Sequence, residues 1–168
     1  YEIIDLGVMV SCDKILSESI KHNVDVIGLS GLITPSLDEM IYVAKEMQRN
    51  NMNIPLIIGG ATTSKIHTAV KVNEHYKNNT TVHVLDASKS VGVLNKLLGD
   101  KSDDFNIEIN NEYENIKQNY LQRKSQKKYL SLADARNNAF KTDWKNLKIT
   151  QPNNLGIQVF NDISIKEI

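Results

Sequence analysis

The sequence predicts an α/β fold, a doubly wound parallel sheet flanked by helices, on two observations. Short apolar runs and helical patterns alternate four times, and turns carrying glycine, serine or threonine lie between them. The runs are apolar throughout instead of alternating with polar residues, which suits strands covered on both faces and joined by right-handed crossovers.

The first run, 1–7, ends at Gly7. The stretch 13–22 then places Ile15, Leu16, Ser19 and Ile20 on one helical side, with Asp13 near its start. Asp25-Val26-Ile27-Gly28-Leu29 is the second run, and Leu37, Met40, Ile41, Ala44 and Met47 follow it at spacings of three and four, the mark of an amphipathic helix. Two starts fit that helix. Ser36 with Glu39 has capping-box spacing, and Thr34 before Pro35 would serve as an N-cap with proline at the first helical position. Ile54-Pro55-Leu56-Ile57-Ile58 predicts a third strand with a helix over 63–75, and Val82-His83-Val84-Leu85 a fourth with a helix over 88–98, ending at Gly99.

Past residue 100 glycine almost vanishes and Asn, Lys, Glu and Gln dominate, so 101–154 reads as linker. Within it, 108–128 has the pattern of a solvated helix with Tyr113, Ile116 and Tyr120 on one side. Its Arg123, Lys124, Lys127 and Lys128 read as surface charge. Leu155-Gly156-Ile157-Gln158-Val159-Phe160 is again strand-like and would open another domain.

A chain of 168 residues, 40% of them hydrophobic, buries one sizeable core with residues left for a tail. Twenty basic and 20 acidic side chains cancel, so the electrostatic footprint of a general nucleic-acid binder is absent. Small-molecule or protein partners are expected. Cys12 is the only cysteine, which excludes an internal disulfide and fits a reducing, cytoplasmic setting. No apolar stretch approaches the roughly 18 residues that span a bilayer, so no membrane partner is expected. The start at Tyr1, without methionine, points to a piece of a longer polypeptide.

Function is expected at two turns, Gly28-Leu29-Ser30-Gly31-Leu32-Ile33-Thr34-Pro35-Ser36 and Gly59-Gly60-Ala61-Thr62-Thr63-Ser64. Both lie at the carboxyl ends of consecutive expected strands, where open parallel sheets place their ligands. Glycine lets main chain approach a ligand, and hydroxyls at helix starts offer hydrogen bonds. The same glycines also serve any doubly wound sheet as tight turns, ligand or none. Other chemistries find little support. No Gly-x-Ser-x-Gly elbow, P-loop or Gly-x-Gly-x-x-Gly is present, and His22, His67, His75 and His83 lack zinc-motif spacing. Neutral hydroxyls and bare backbone suit a large, partly apolar ligand better than a compact polyphosphate.

These turns, with Asp5-Leu6-Gly7-Val8-Met9-Val10 and Asp86-Ala87-Ser88-Lys89-Ser90-Val91-Gly92, resemble the cobalamin-binding domain of the cobalamin-dependent methionine synthase family over residues 1–100. Asn137-Asn138-Ala139-Phe140 and Asp143-Trp144 resemble that family's linker to its activation domain, and Leu155-Gly156-Ile157-Gln158-Val159 is similar to the opening of that S-adenosylmethionine-binding domain. The resemblance implies a flavodoxin-like domain over 1–100, a linker over 101–154 and the start of the activation domain over 155–168. It implies that the dimethylbenzimidazole tail of methylcobalamin enters a slot formed by Ser30, Thr34, Gly59, Gly60 and Ala87. It gives Ser36 the place of a serine in a Ser-Asp-His hydrogen-bond chain that tunes the cobalt's lower ligand.

The family's Asp-x-His-x-x-Gly motif would lie before Tyr1, together with the first strand and helix of a 2-1-3-4-5 sheet, so the resemblance assigns no metal ligand within this sequence. The implied function is to hold the cofactor during methyl transfer from methyltetrahydrofolate to homocysteine. Its partners would be cobalamin and the folate, homocysteine and activation domains of the same methyltransferase, with this piece alone not catalytic. The alternatives are a corrinoid shuttle protein of another methyltransferase and a non-catalytic cobalamin sensor or signalling module. The activation-domain likeness speaks against the first. A receiver would need acidic strand ends, where Ser30 and Gly59 stand.

Overall fold

The computed structural model of the chain describes residues 1–125 and 128–159. It divides into two units, Tyr1–Lys127 and Lys128–Ile168.

The first unit is built on a three-stranded parallel sheet, β1 (Ile27–Ser30), β2 (Leu56–Gly59) and β3 (Thr81–His83), in the order β1-β2-β3. Ile27 pairs with Leu56 and Leu56 with Thr81, so one face carries Ile27, Leu56 and Ile58 and the other Gly28, Ile57 and Val82. The first face packs on α1 (Cys12–Lys21) and α2 (Pro35–Arg49) through Leu16, Met40, Ala44 and Met47. This is the stripe expected of α2, although in α1 Ile20 turns outward at 66% exposure. The other face packs on Leu97 of α4 (Ser90–Leu97) and on Phe105, Ile109 and Tyr113 of α5 (Ser102–Ser125). Between β2 and β3 runs α3 (Lys65–His67), which widens into a π-helical turn at Thr68–Val72. A 3-10 turn, Ala87–Lys89, leads into α4.

Tyr76, fully buried, joins the elements around β2. Its hydroxyl receives the Ile54 N–H at 3.0 Å and lies 2.7 Å from the Ile54 carbonyl and 3.0 Å from that of Met52, so the segment entering β2 closes on one phenol oxygen. Burial pushes that phenol's pKa up, which keeps its proton in place for these bonds.

Two expectations are corrected. Residues 1–7 form no strand: the Asp5 carboxylate accepts the Gly7 N–H at 2.8 Å, Gly7 and Met9 turn through φ +84° and +55°, and Ile3 stays 83% exposed. A local Asx-type turn and no neighbouring ladder replace the pairing that a strand requires. The stretch 155–159 is likewise no strand and is exposed, while Phe160 and the remainder of 155–168 lie outside the described residues.

The helix expected over 108–128 forms over Ser102–Ser125 and belongs to the compact first unit. Tyr113 is buried and Ile116 half-buried, whereas Tyr120 is exposed. Lys65–Glu112 at 2.8 Å and Lys117–Glu74 at 3.4 Å add exposed ion pairs, each contributing little.

In the second unit α6 (Leu132–Asn137) is capped by Ser131, whose hydroxyl receives the Asp134 N–H at 3.1 Å. Phe140 and Trp144 are exposed. No helix among the described residues is long and apolar enough to cross a membrane.

Candidate functional site

Because the sheet is parallel, β1, β2 and β3 deliver their carboxyl ends to one edge, and a cleft of about 500 Å³ opens there. Ser30, Gly59, Gly60, Thr63, His83 and Ala87 stand in its wall, with Gly28 and Ile57 on the sheet surface beneath. A second depression of about 590 Å³, rich in asparagine and including Asn73 and Asn106, holds none of the turn residues. The first is the candidate, since it combines apolar floor, bare main chain and a strand-end position.

The rim is made by two loops resting on each other. Gly31 donates its N–H to the Gly59 carbonyl at 2.9 Å, and its own carbonyl receives the Thr62 N–H at 3.3 Å. Gly60, at φ +101°, sits against Gly31 so closely that a Cβ there would lie 2.3 Å from the Gly31 oxygen and 2.5 Å from its nitrogen. No side chain fits, which gives the second glycine of the pair a physical cause apart from any ligand.

Four of the residues assigned to the cofactor, Ser30, Gly59, Gly60 and Ala87, line the cleft together. Thr34 and Ser36 do not line it. Both stand at the start of α2, where Pro35 takes the first helical position, but the side chain of Thr34 makes no capping bond because its own backbone is already helical (φ −54°, ψ −40°). The capping-box bond expected of Ser36 is also not made among the described residues. Ser36 instead packs behind the rim: a Cβ on Gly31 would lie 3.3 Å from the Ser36 Cβ and 3.1 Å from Thr62 Oγ1, an oxygen buried without a partner among the described residues.

Three more residues line the cleft: Thr63 and Asp86, which stand in turns the sequence singled out but without an assigned role, and His83, which sequence reasoning missed. His83 Nε2 lies 3.1 Å from Thr63 Oγ1, and Thr63 donates its hydroxyl proton to the Gly60 carbonyl at 2.8 Å. Burial, aided by the Lys65 ammonium, holds the His83 pKa below its ordinary value. Its main-chain N–H is taken by the Tyr113 hydroxyl of α5 at 2.8 Å, a phenol whose own pKa burial drives far up. Asp86 accepts the Ser88 N–H at 2.8 Å, and its bonds to Ser88 keep its carboxyl below the usual range. The available signal was position alone: His83 closes a strand at the same end of the sheet as the glycine turns.

Residues 1–75 match the family model of the B12 binding domain. The match takes in β1, β2 and both glycine turns and ends before β3. With the parallel sheet and its flanking helices, it agrees with a flavodoxin-like B12-binding fold, and it supports cobalamin, or a related cobamide, as the ligand. The cleft fits such a group: its volume lies within the roughly 300–1,000 Å³ of small-molecule sites, and a flat heterocycle finds glycine and isoleucine below it and main chain beside it. Among the described residues no three His, Cys, Asp or Glu side chains gather in a way that could hold a metal ion.

Proposed function

We propose that this chain is the cobalamin-binding part of a methionine synthase, holding methylcobalamin by its dimethylbenzimidazole arm while a methyl group passes from methyltetrahydrofolate to homocysteine. The observation that carries the reading is the cleft at the strand ends, whose wall brings together Ser30, Gly59, Gly60 and Ala87 from three separate turns. Bound methylcobalamin supplies the methyl carrier. The chain's own residues bind and orient: Gly59 and Gly60 offer main chain to the heterocycle, Ser30 a hydroxyl, and Ala87 a small apolar contact. Thr34 would reach the arm from the rim, and Ser36 would act through hydrogen bonds behind it, tuning the cobalt's lower ligand supplied by the longer polypeptide.

On this reading 128–154 connects the cofactor domain to an S-adenosylmethionine-binding activation domain that begins within 155–168, in a cytoplasmic enzyme. The motif resemblance over 137–159 supports the order of these segments.

Two measurements test it. Mixing the chain with hydroxocobalamin should displace the benzimidazole from cobalt, seen as a base-off absorption spectrum, and hydroxocobalamin should bind at least about tenfold more tightly than cobinamide, which lacks the arm. Equal affinity for the two would sink the arm-binding reading. The polypeptide that contains this chain should transfer methyl from methyltetrahydrofolate to homocysteine. Transfer only from methanol or a methylamine would instead make it a shuttle protein.

A further inference from the structure

We propose that His83 is a specificity-determining residue of the cleft, offering the lone pair of Nδ1 to a hydrogen-bond donor on the nucleotide arm of the bound cobamide. The inference rests on the arm-binding reading above and adds to it a residue that neither the resemblance nor the matched stretch supplies, since the match ends at residue 75.

The argument is one of proton count. Thr63 has a single hydroxyl proton, and the 2.8 Å contact to the Gly60 carbonyl uses it. The 3.1 Å contact between Thr63 Oγ1 and His83 Nε2 therefore needs its proton from the imidazole, which fixes the tautomer with hydrogen on Nε2. Nδ1 is left as an acceptor, and among the described residues nothing donates to it. Gly60 cannot yield, because its main chain is wedged against Gly31. Nor can the backbone of His83 slide, because its N–H is held by Tyr113. The ring is thus anchored at both ends of the residue in the wall of the cleft, with one nitrogen uncommitted. Nδ1 is not closed off from solvent in the free cleft, so a ligand that brings a donor replaces a water contact with a direct bond, and it is favoured over one that covers the nitrogen and leaves it unpaired.

Two donors on a nucleotide arm share this chemistry: a sugar hydroxyl, present whatever the base, and an exocyclic amine, present on adenine but not on dimethylbenzimidazole. The experiment separates them. Hydroxocobalamin, an adenine-containing cobamide and cobinamide are titrated by absorbance against the full chain and against His83→Phe, His83→Gln and Thr63→Val.

The expected result is that His83→Phe weakens both nucleotide-bearing ligands about five- to twentyfold and leaves cobinamide unchanged, while His83→Gln, whose amide both donates and accepts, stays within about threefold of the parent. Thr63→Val, which frees the ring without altering β3, should weaken the same two ligands and serves if His83→Phe does not fold. Equal losses for the two ligands assign the donor to the sugar, and a larger loss for the adenine form assigns it to the base. Unchanged binding in a folded variant, or equal weakening of cobinamide, overturns the inference. A parent chain that does not prefer nucleotide-bearing ligands over cobinamide overturns the arm-binding reading itself.

Discussion

Replacing Gly60 with alanine is expected to cost about 4 kcal/mol of stability, a few kcal/mol from forcing an L-residue to positive φ and a similar amount from overlap. The overlap is unusually hard to relieve. The atoms a Cβ would strike, at 2.3 Å and 2.5 Å, are the main-chain oxygen and nitrogen of Gly31, and they cannot rotate away. Gly31 is hemmed in on its other side, where a Cβ of its own would meet Met40 at 3.0 Å and Thr62 at 3.1 Å, so the loop after β1 has nowhere to retreat. The control is the adjacent residue. A Cβ on Gly59 would lie 3.5 Å from the Val84 carbonyl, an ordinary contact, and Gly59→Ala should stay within about 1 kcal/mol of the parent. Urea denaturation of the two variants decides the matter: equal midpoints would mean that the two loops do not rest on each other as described.

The second large effect concerns α5. A chain ending at residue 100 should lose cooperative unfolding, whereas one ending at 127 should keep it. Phe105, Ile109 and Tyr113 are each at least about nine-tenths buried against Val82, Ala69 and Leu97, and burial of such side chains contributes roughly 1.5–3 kcal/mol apiece. Removing all three strips an amount comparable with the whole stability of a small domain, about 5–15 kcal/mol. It also leaves the His83 N–H without its Tyr113 partner. Thermal melts followed by circular dichroism would test this, and a sharp transition in the shorter chain would overturn it.

Much of the first unit was legible in the sequence because its determinants are local. The runs around Ile27, Leu56 and Val82 are short, apolar and closed by turns, and α2 shows its buried face through Met40, Ala44 and Met47 at helical spacing. Residues 1–7 misled because apolar content states a preference for a strand and says nothing of a neighbour to pair with. The place of α5 was legible but not its burial: a narrow stripe of Phe105, Ile109, Tyr113 and Ile116 is diluted by asparagine, glutamate and lysine, so composition read as linker where spacing indicates a packed face.

The cleft divides in the same way. Ser30, Gly59, Gly60 and Ala87 came from turns that can be read in the sequence. Thr63 and His83 are 20 residues apart and meet only because β2 and β3 pair in register, and one histidine in a strand carries no spacing signal. The hydroxyls of Thr34 and Ser36 looked like helix caps because capping residues are recognised by type. Whether they cap depends on backbone angles that the sequence does not print.

His83 belongs to two neighbourhoods at once, its ring against Thr63 in the cleft wall and its amide tethered to α5. Thermodynamic reciprocity follows from that double membership. A ligand that steadies the imidazole would also steady the far helix, and whatever pries the helix away would loosen the ligand by the same free energy. A segment that resembles a passive spacer would then help set how firmly the chain holds its cargo.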